Sequence, residues 1–248
     1  MIRSIIEGFS FNIQGFFVSL RHPALLFWGL IRVILLILVT VIIAGFILKY
    51  RVELSDIIWQ KPEDSIWQAG LWQIYSWFLS LILMVLAGIF SFIVTQLLFS
   101  IVIMDYMSQI IEKKITGKVD APEFSIHKLL LHLIKQEIPR ALIPLIISFI
   151  IMVAGWFSFF MAPAASFISV LIVSTFLAWD NTDLVPSRRF MSLGERFRLF
   201  INNIPFHIGF GLPFLIPIAN IIFLSYAPVG GTLYFLEKQE KIQTKGHF

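Results

Sequence analysis

The chain has 248 residues, of which 58% are hydrophobic and only 14% charged, and its mean hydropathy is +0.87. A soluble domain carries about 25% charged residues, so this composition excludes an ordinary soluble enzyme, a secreted disulfide scaffold and a disordered chain, and it marks an integral membrane protein. The net charge of +4 lacks a basic cluster on any soluble stretch, which argues against nucleic-acid binding, and the absence of cysteine excludes disulfides, iron–sulfur ligation and thiol catalysis.

No stretch has soluble composition, so residues 1–248 are read as a single membrane domain of all-α class. The first element, residues 1–20, places Ile2, Ile5, Ile6, Phe9, Ile13, Phe16, Phe17 and Leu20 at steps of three or four. That period predicts a helix with one apolar face lying in the membrane interface. Because the segment is amphipathic, it is not expected to be a cleavable signal.

Pro23 suits the first turn of a new helix. Residues 23–48 hold a single charge, Arg32, and are long enough to span a bilayer. A polar segment follows, with Tyr50, Trp59, Trp67, Trp72 and Trp77 placed to form an interfacial belt. Ser65 to Met104 is a run of 40 uncharged residues. With its charged continuation it predicts a second long helix over 65–117, ending at Gly117. Val119 to Ser125 is read as a loop with Pro122, and Ile126 to Gln136 as a further interfacial helix.

Two hairpins are predicted at 137–179 and 196–236. Their uncharged runs, Ala141 to Trp179 and Leu199 to Leu236, contain 39 and 38 residues. Two full crossings need about 40 residues before any turn is counted. The expected turns, Gly155 to Pro163 and Gly211 to Asn220, carry no charge. Both hairpins are therefore expected to enter the membrane partway and turn inside it, with four short ordinary crossings as the alternative. Broken backbone at that depth has to be buried in protein or line a wet cavity.

Fifteen of the basic residues fall on one side of this arrangement. Only Lys49, Arg51 and Lys61 fall on the other. The positive-inside rule then places both termini in the cytoplasm.

Soluble-enzyme motifs are missing, and no buried acid–base constellation is evident, so an enzyme is the least favoured class. No cofactor or metal site is expected. His127 and His132 are five residues apart, off a common helix face. Arg32 is either an anion contact or an arginine snorkelling to the headgroups. Asp105 and Glu112 are seven apart, hence on one helix face, where they can meet Arg140 or Arg188 and Arg189. His207 and Asn220 are read as structural.

Several of these pieces together resemble one family. Gly15, Leu20, His22 and Pro23 look like its opening segment. Glu112, Ile115, Thr116 and Gly117 resemble the end of its long helix. Pro139-Arg140-Ala141 resembles the start of its first hairpin, and Asp183, Pro186, Arg188 and Arg189 its Asp-Tyr-Pro turn with basic residues after it. Gly209-Phe210-Gly211, Ile216-Pro217 with Asn220, and Gly231-Thr232 are similar to its closing hairpin. The family is that of the CysZ-type sulfate permeases, grouped with the etoposide-induced membrane proteins.

The resemblance implies two long spanning helices, two partly inserted hairpins and a homo-oligomeric protein of the bacterial inner membrane. It also implies sulfate uptake for cysteine synthesis, coupled to protons. The family's Gly-Leu-Arg segment, associated with sulfate, is replaced here by Ala24, Leu25 and Leu26. The candidate oxyanion-binding residues are thus Arg21, Ala24, Leu25, Leu26, Arg32, Arg140 and Arg188, and the candidate coupling or gating residues are Asp105, Glu112 and Asp183. Their expected path runs between the long helices and the hairpins. The competing expectation is a non-transporting scaffold or lipid-remodelling protein on the same fold, which the altered Gly-Leu-Arg segment favours.

Overall fold

The computed structural model describes residues 1–62, 66–95, 101–119, 142–155 and 161–245, and every regular element among them is helical. In chain order these are α1 (Ile2–Leu20), α2 (Pro23–Lys49), α3 (Arg51–Asp56), α4 (Ile66–Thr95) and α5 (Ile101–Thr116). Then come α6 (Leu142–Gly155), α7 (Ala162–Thr182), α8 (Leu184–Arg188), α9 (Leu193–Asn202), α10 (Ile204–Gly211) and α11 (Ala219–Lys245), with a 3-10 turn, Leu212–Leu215, closing α10. Among the described residues four helices are long and apolar enough to cross a membrane: Pro23–Lys49, Ile66–Ser91, Ala162–Thr182 and Ala219–Lys238. The expected loop at 119–125 beyond its first residue, the helix at 126–136, Arg140 and most of the first hairpin's tip lie outside the described residues.

The chain divides into two compact units, residues 31–100 and residues 1–30 with 101–248. In the smaller unit the Ser55 and Ser76 hydroxyls bond at 2.9 Å, and the Trp72 indole donates to the Trp59 carbonyl at 2.8 Å. The Arg51 guanidinium lies 4.1 Å from the Trp77 ring centroid, a cation–π contact of the kind that anchors a span's end. Ile34, Val41, Ile42, Phe78, Val85 and Phe90 are exposed. Exposed apolar surface of this extent belongs against lipid.

The larger unit is built around α1, α7, α10 and α11. The helices meet through their small residues. A Cβ on Gly8 would stand 2.0 Å from the Phe206 carbonyl oxygen, one on Gly15 2.4 Å from the Gly230 nitrogen, and one on Gly231 2.1 Å from the Asn181 carbonyl oxygen. Lipid tails are as apolar as leucine, so close backbone contact and hydrogen bonds, not burial of bulk, drive such packing. α1 follows this rule. It buries Gly8, Phe11, Asn12, Gly15 and Ser19, and the Asn12 amide donates to the Phe210 carbonyl at 2.8 Å. Ile2, Ile6, Phe9, Phe17 and Leu20 stay exposed. The apolar face read from the sequence is thus the outward face, and the small-residue face is the one packed on protein.

Two helix stops set the positions of the charged residues in this unit. α5 ends at Gly117, whose φ of 77° and N–H bond to the Lys113 carbonyl at 3.0 Å make a left-handed cap. α8 ends in a Schellman arrangement. The Met191 N–H bonds the Pro186 carbonyl, the Phe190 N–H bonds the Ser187 carbonyl, and Phe190 sits at φ 56°. A non-glycine residue there costs about 1–2 kcal/mol, a strain held directly beside Arg188 and Arg189.

Candidate functional site

α5 carries Asp105, Ser108 and Glu112 at steps of three and four, so all three share one helix face. The short α8 brings Arg188 against that face. Its Nη1 donates to Asp105 Oδ1 at 2.5 Å, its Nη2 donates to Glu112 Oε2, and both reach Ser108 Oγ at 3.3–3.4 Å. Arg189 Nη2 donates to the other oxygen of Glu112 at 2.8 Å. Glu112 is 1% exposed and Arg188 4%, whereas Asp105 and Arg189 are 24% and 22% exposed. Ser108 also bonds the Thr232 hydroxyl of α11 at 2.8 Å.

Two carboxylates therefore balance two guanidiniums inside the larger unit. The inner pair is desolvated, and the outer two groups reach its edge. A buried pair of this kind gains little net stability, but removing one partner leaves a charge stranded at a cost of about 3–5 kcal/mol. The planar guanidinium fork suits a carboxylate or another oxyanion equally, because both present two acceptor oxygens.

Asp183 does not join this cluster. It accepts from Arg196 Nε at 2.7 Å and from Arg196 Nη2, with Arg196 0% and Asp183 3% exposed. Beside this pair the His207 Nδ1 donates to the Asn203 carbonyl at 2.8 Å and its Nε2 meets the Thr182 hydroxyl at 3.0 Å. The segment after α1 lies elsewhere in the same unit. Arg21 and Ala24 are exposed and Leu25 is fully buried. The Leu26 carbonyl accepts from the Tyr226 hydroxyl at 3.3 Å, over Gly29, where any Cβ would strike the Tyr226 ring. His22 contacts Lys114, which follows Glu112 by two residues on α5. Arg32 is 5% exposed and belongs to the smaller unit. Among the described residues no group of three His, Cys, Asp or Glu is placed to hold a metal ion.

The family model described as "Sulfate transporter CysZ/Etoposide-induced protein 2.4" matches residues 12–225. The chain belongs to this family. Among curated proteins none matches it. The matched span holds the whole α5–α8 cluster, from Asp105 to Arg189. It ends before Thr232 and Lys238, so the last three turns or so of the apolar part of α11 fall outside it.

Ser108 is not singled out in the sequence, and Thr232 enters there only with Gly231 in the resemblance of the closing hairpin, not as a partner of this site. Ser108 carried a usable signal, since it completes the stripe between Asp105 and Glu112. Thr232 carried none beyond its place after Gly231.

Proposed function

We propose that the protein is a membrane permease for a small inorganic anion, with sulfate the first candidate. The observation that carries this reading is Arg188, a buried guanidinium shared between two carboxylates on one face of α5. Glu112 and Asp105 hold the guanidinium donors that an oxyanion would take. An arriving dianion competes for Arg188 and Arg189, and a proton accepted by a released carboxylate would couple the two movements. Membership of a family described as a sulfate transporter supports the substrate class. Arg21 and Lys114, the latter in contact with His22, add positive charge near the start of α2, where they would draw an anion toward the larger unit. Arg32 and Arg140 are proposed as further attractors along the route, and Asp183 as a positioning group that fixes Arg196. We place the protein in the inner membrane with both termini cytoplasmic, and as a homo-oligomer.

The test is uptake of labelled sulfate into proteoliposomes containing only this protein, with and without a pH gradient. Saturable uptake that falls at least tenfold in Arg188→Gln, with the variant folded and inserted, is the expected result. Absence of uptake above empty liposomes overturns the sulfate assignment. One observation favours the second reading, a non-transporting scaffold: Leu25 is fully buried and Ala24 and Leu26 bring no charge to the place of the Gly-Leu-Arg segment. On that reading no anion would be transported, and Arg188→Gln would change no flux.

A further inference from the structure

A second polar site lies in the larger unit, separate from the Arg188 cluster. Where α1 begins and the apolar part of α11 ends, a cleft of about 240 Å³ opens between Glu7 and Phe11 of α1, Phe206 of α10, and Tyr234, Glu237 and Lys238 of α11. That is far more than the space of a single water or a lone ion, and enough for a small organic group. The wall is rigid. Phe206 and Tyr234 stack with centroids 3.7 Å apart, and Phe11 packs edge-on against Tyr234 at 5.5 Å.

The charges around the cleft are opposed and incompletely closed. Lys238 Nζ is fixed by Asn203 Oδ1 at 2.8 Å and by the Tyr234 hydroxyl at 2.9 Å, which leaves its third donor direction for the cleft. Glu7 is near enough for its charge to be felt at both Lys238 and Tyr234, yet it forms no ion pair with Lys238 among the described residues. Glu237 adds a second carboxylate at the rim. A cation alone would meet Lys238, and an anion alone would meet Glu7 and Glu237. A group that carries both charges satisfies both sides.

Depth supplies the source of such a group. The apolar stretch of α11 runs to Lys238, and a lysine at the end of a span lies at the headgroup layer. On α1, Ile2 and Ile6 flank the turns that carry Glu7, and they are 72% and 63% exposed. They offer an apolar lane leading from the cleft into the acyl region. We propose that this cleft binds the headgroup of a zwitterionic aminophospholipid, its phosphate on Lys238 and its primary ammonium on Glu7 at the Glu237 rim, with an acyl chain along Ile2 and Ile6. The primary ammonium matters because it donates three hydrogen bonds to the carboxylates, whereas a trimethylated one donates none.

The experiment uses delipidated, detergent-purified full-length protein. Thermal unfolding and retained lipid in native mass spectrometry are read with added phosphatidylethanolamine, phosphatidylcholine, phosphatidylglycerol or water-soluble glycerophosphoethanolamine. Phosphatidylethanolamine is expected to raise the unfolding temperature and to be retained about tenfold over the other two lipids, the equivalent of one charge-assisted hydrogen bond. Glu7→Gln and Lys238→Met should each remove most of that preference. Glu7 is exposed, so its isosteric variant keeps the test valid if Lys238→Met does not fold. Equal retention of phosphatidylcholine, or a preference unchanged in Glu7→Gln, overturns the proposal. So does equal stabilisation by the soluble headgroup, because the acyl lane would then play no part.

Discussion

Glu112 is the residue on which most of the polar site depends. It accepts from two different arginines through its two oxygens while almost completely buried, so its loss strands Arg188 with Asp105 alone. Glu112→Ala is expected to lower stability by about 3–5 kcal/mol, read as a fall in unfolding temperature in detergent. Asp105→Asn, at the more exposed edge, should cost clearly less. If both substitutions cost the same, solvent screening does not separate the two carboxylates and the burial gradient does not govern the cluster. A different titration is set by Ser192 at the start of α9. Its hydroxyl and its backbone N–H hold the exposed Glu195 carboxyl below the ordinary carboxylate pKa. A lowered pKa contributes stability above the unfolded value, and that contribution is lost as pH falls through the folded value. As pH falls below the ordinary carboxylate value the α9 cap should therefore loosen, and Ser192→Ala, which keeps the backbone N–H but loses the hydroxyl, should reduce that pH dependence in amide hydrogen exchange of the 193–196 turn.

At the scale of elements, the glycines divide sharply by environment. Gly8, Gly15, Gly209, Gly230 and Gly231 each face backbone at less than 3 Å from the position a Cβ would take, whereas Gly45, Gly70 and Gly88 face open space. Backbone cannot rotate away as a side chain can, so Gly15→Val or Gly209→Val must pry α1 from its neighbours. Overpacking typically costs 1–3 kcal/mol, and two backbone clashes place these variants at or beyond the top of that range. Alanine at Gly45, Gly70 or Gly88 should leave the unfolding temperature unchanged or raise it by up to about 2–4 °C, since it gains up to about 1 kcal/mol in helix propensity. Size-exclusion profiles and melting curves separate the two groups. The same contrast explains what was legible in the sequence. The long helices follow from uninterrupted apolar runs, and the Asp105–Ser108–Glu112 stripe follows from helical spacing alone. What does not follow is that the opposite face of α1, made of Gly8, Asn12, Gly15 and Ser19, packs on protein, because that face carries no apolar moment. The partners of α5 follow only as alternatives, Arg140 or Arg188 with Arg189, and the structure pairs α5 with the latter two. Arg188 reaches it only because α8 is five residues long and ends in a strained left-handed Phe190, while Asp183, on the same turn of sequence, is drawn to Arg196 instead.

At the scale of the whole molecule, the arrangement in the bilayer turns on how deeply the hairpins enter, and the closing hairpin carries the sharper information. Its first arm is Ile204–Leu215 and its return arm begins at Ala219. The first arm is short of a ~30 Å hydrocarbon core at 1.5 Å per residue, whereas the return arm is not. Between them Ala219 N–H bonds the Pro217 carbonyl at 2.7 Å, a three-residue turn centred on Ile218 at φ 67°. A turn that opened into water would favour Gly, Asn or Asp at that position, since each tolerates the left-handed region at little cost. A β-branched residue there is a steric outlier, and Ile218 is 83% exposed, so no packing against the described chain offsets the strain. An apolar, exposed, strained turn tip is accounted for if its surroundings are hydrocarbon, where a polar residue would cost more than the strain does. The chain has no cysteine, so Ile218→Cys and Met161→Cys provide single-site probes without background. In right-side-out vesicles both are expected to resist a membrane-impermeant maleimide from outside and, after permeabilisation of the vesicle, from inside, and to react once the protein is in detergent. Ready labelling from the periplasmic side would show that the hairpins cross completely. Ile218→Asn supplies the energetic counterpart. It should raise the unfolding temperature in detergent, where water reaches the tip and the left-handed strain is relieved, and lower stability in bilayers, where the amide is stranded. A gain in both media would place the tip in water and remove the argument for a buried turn.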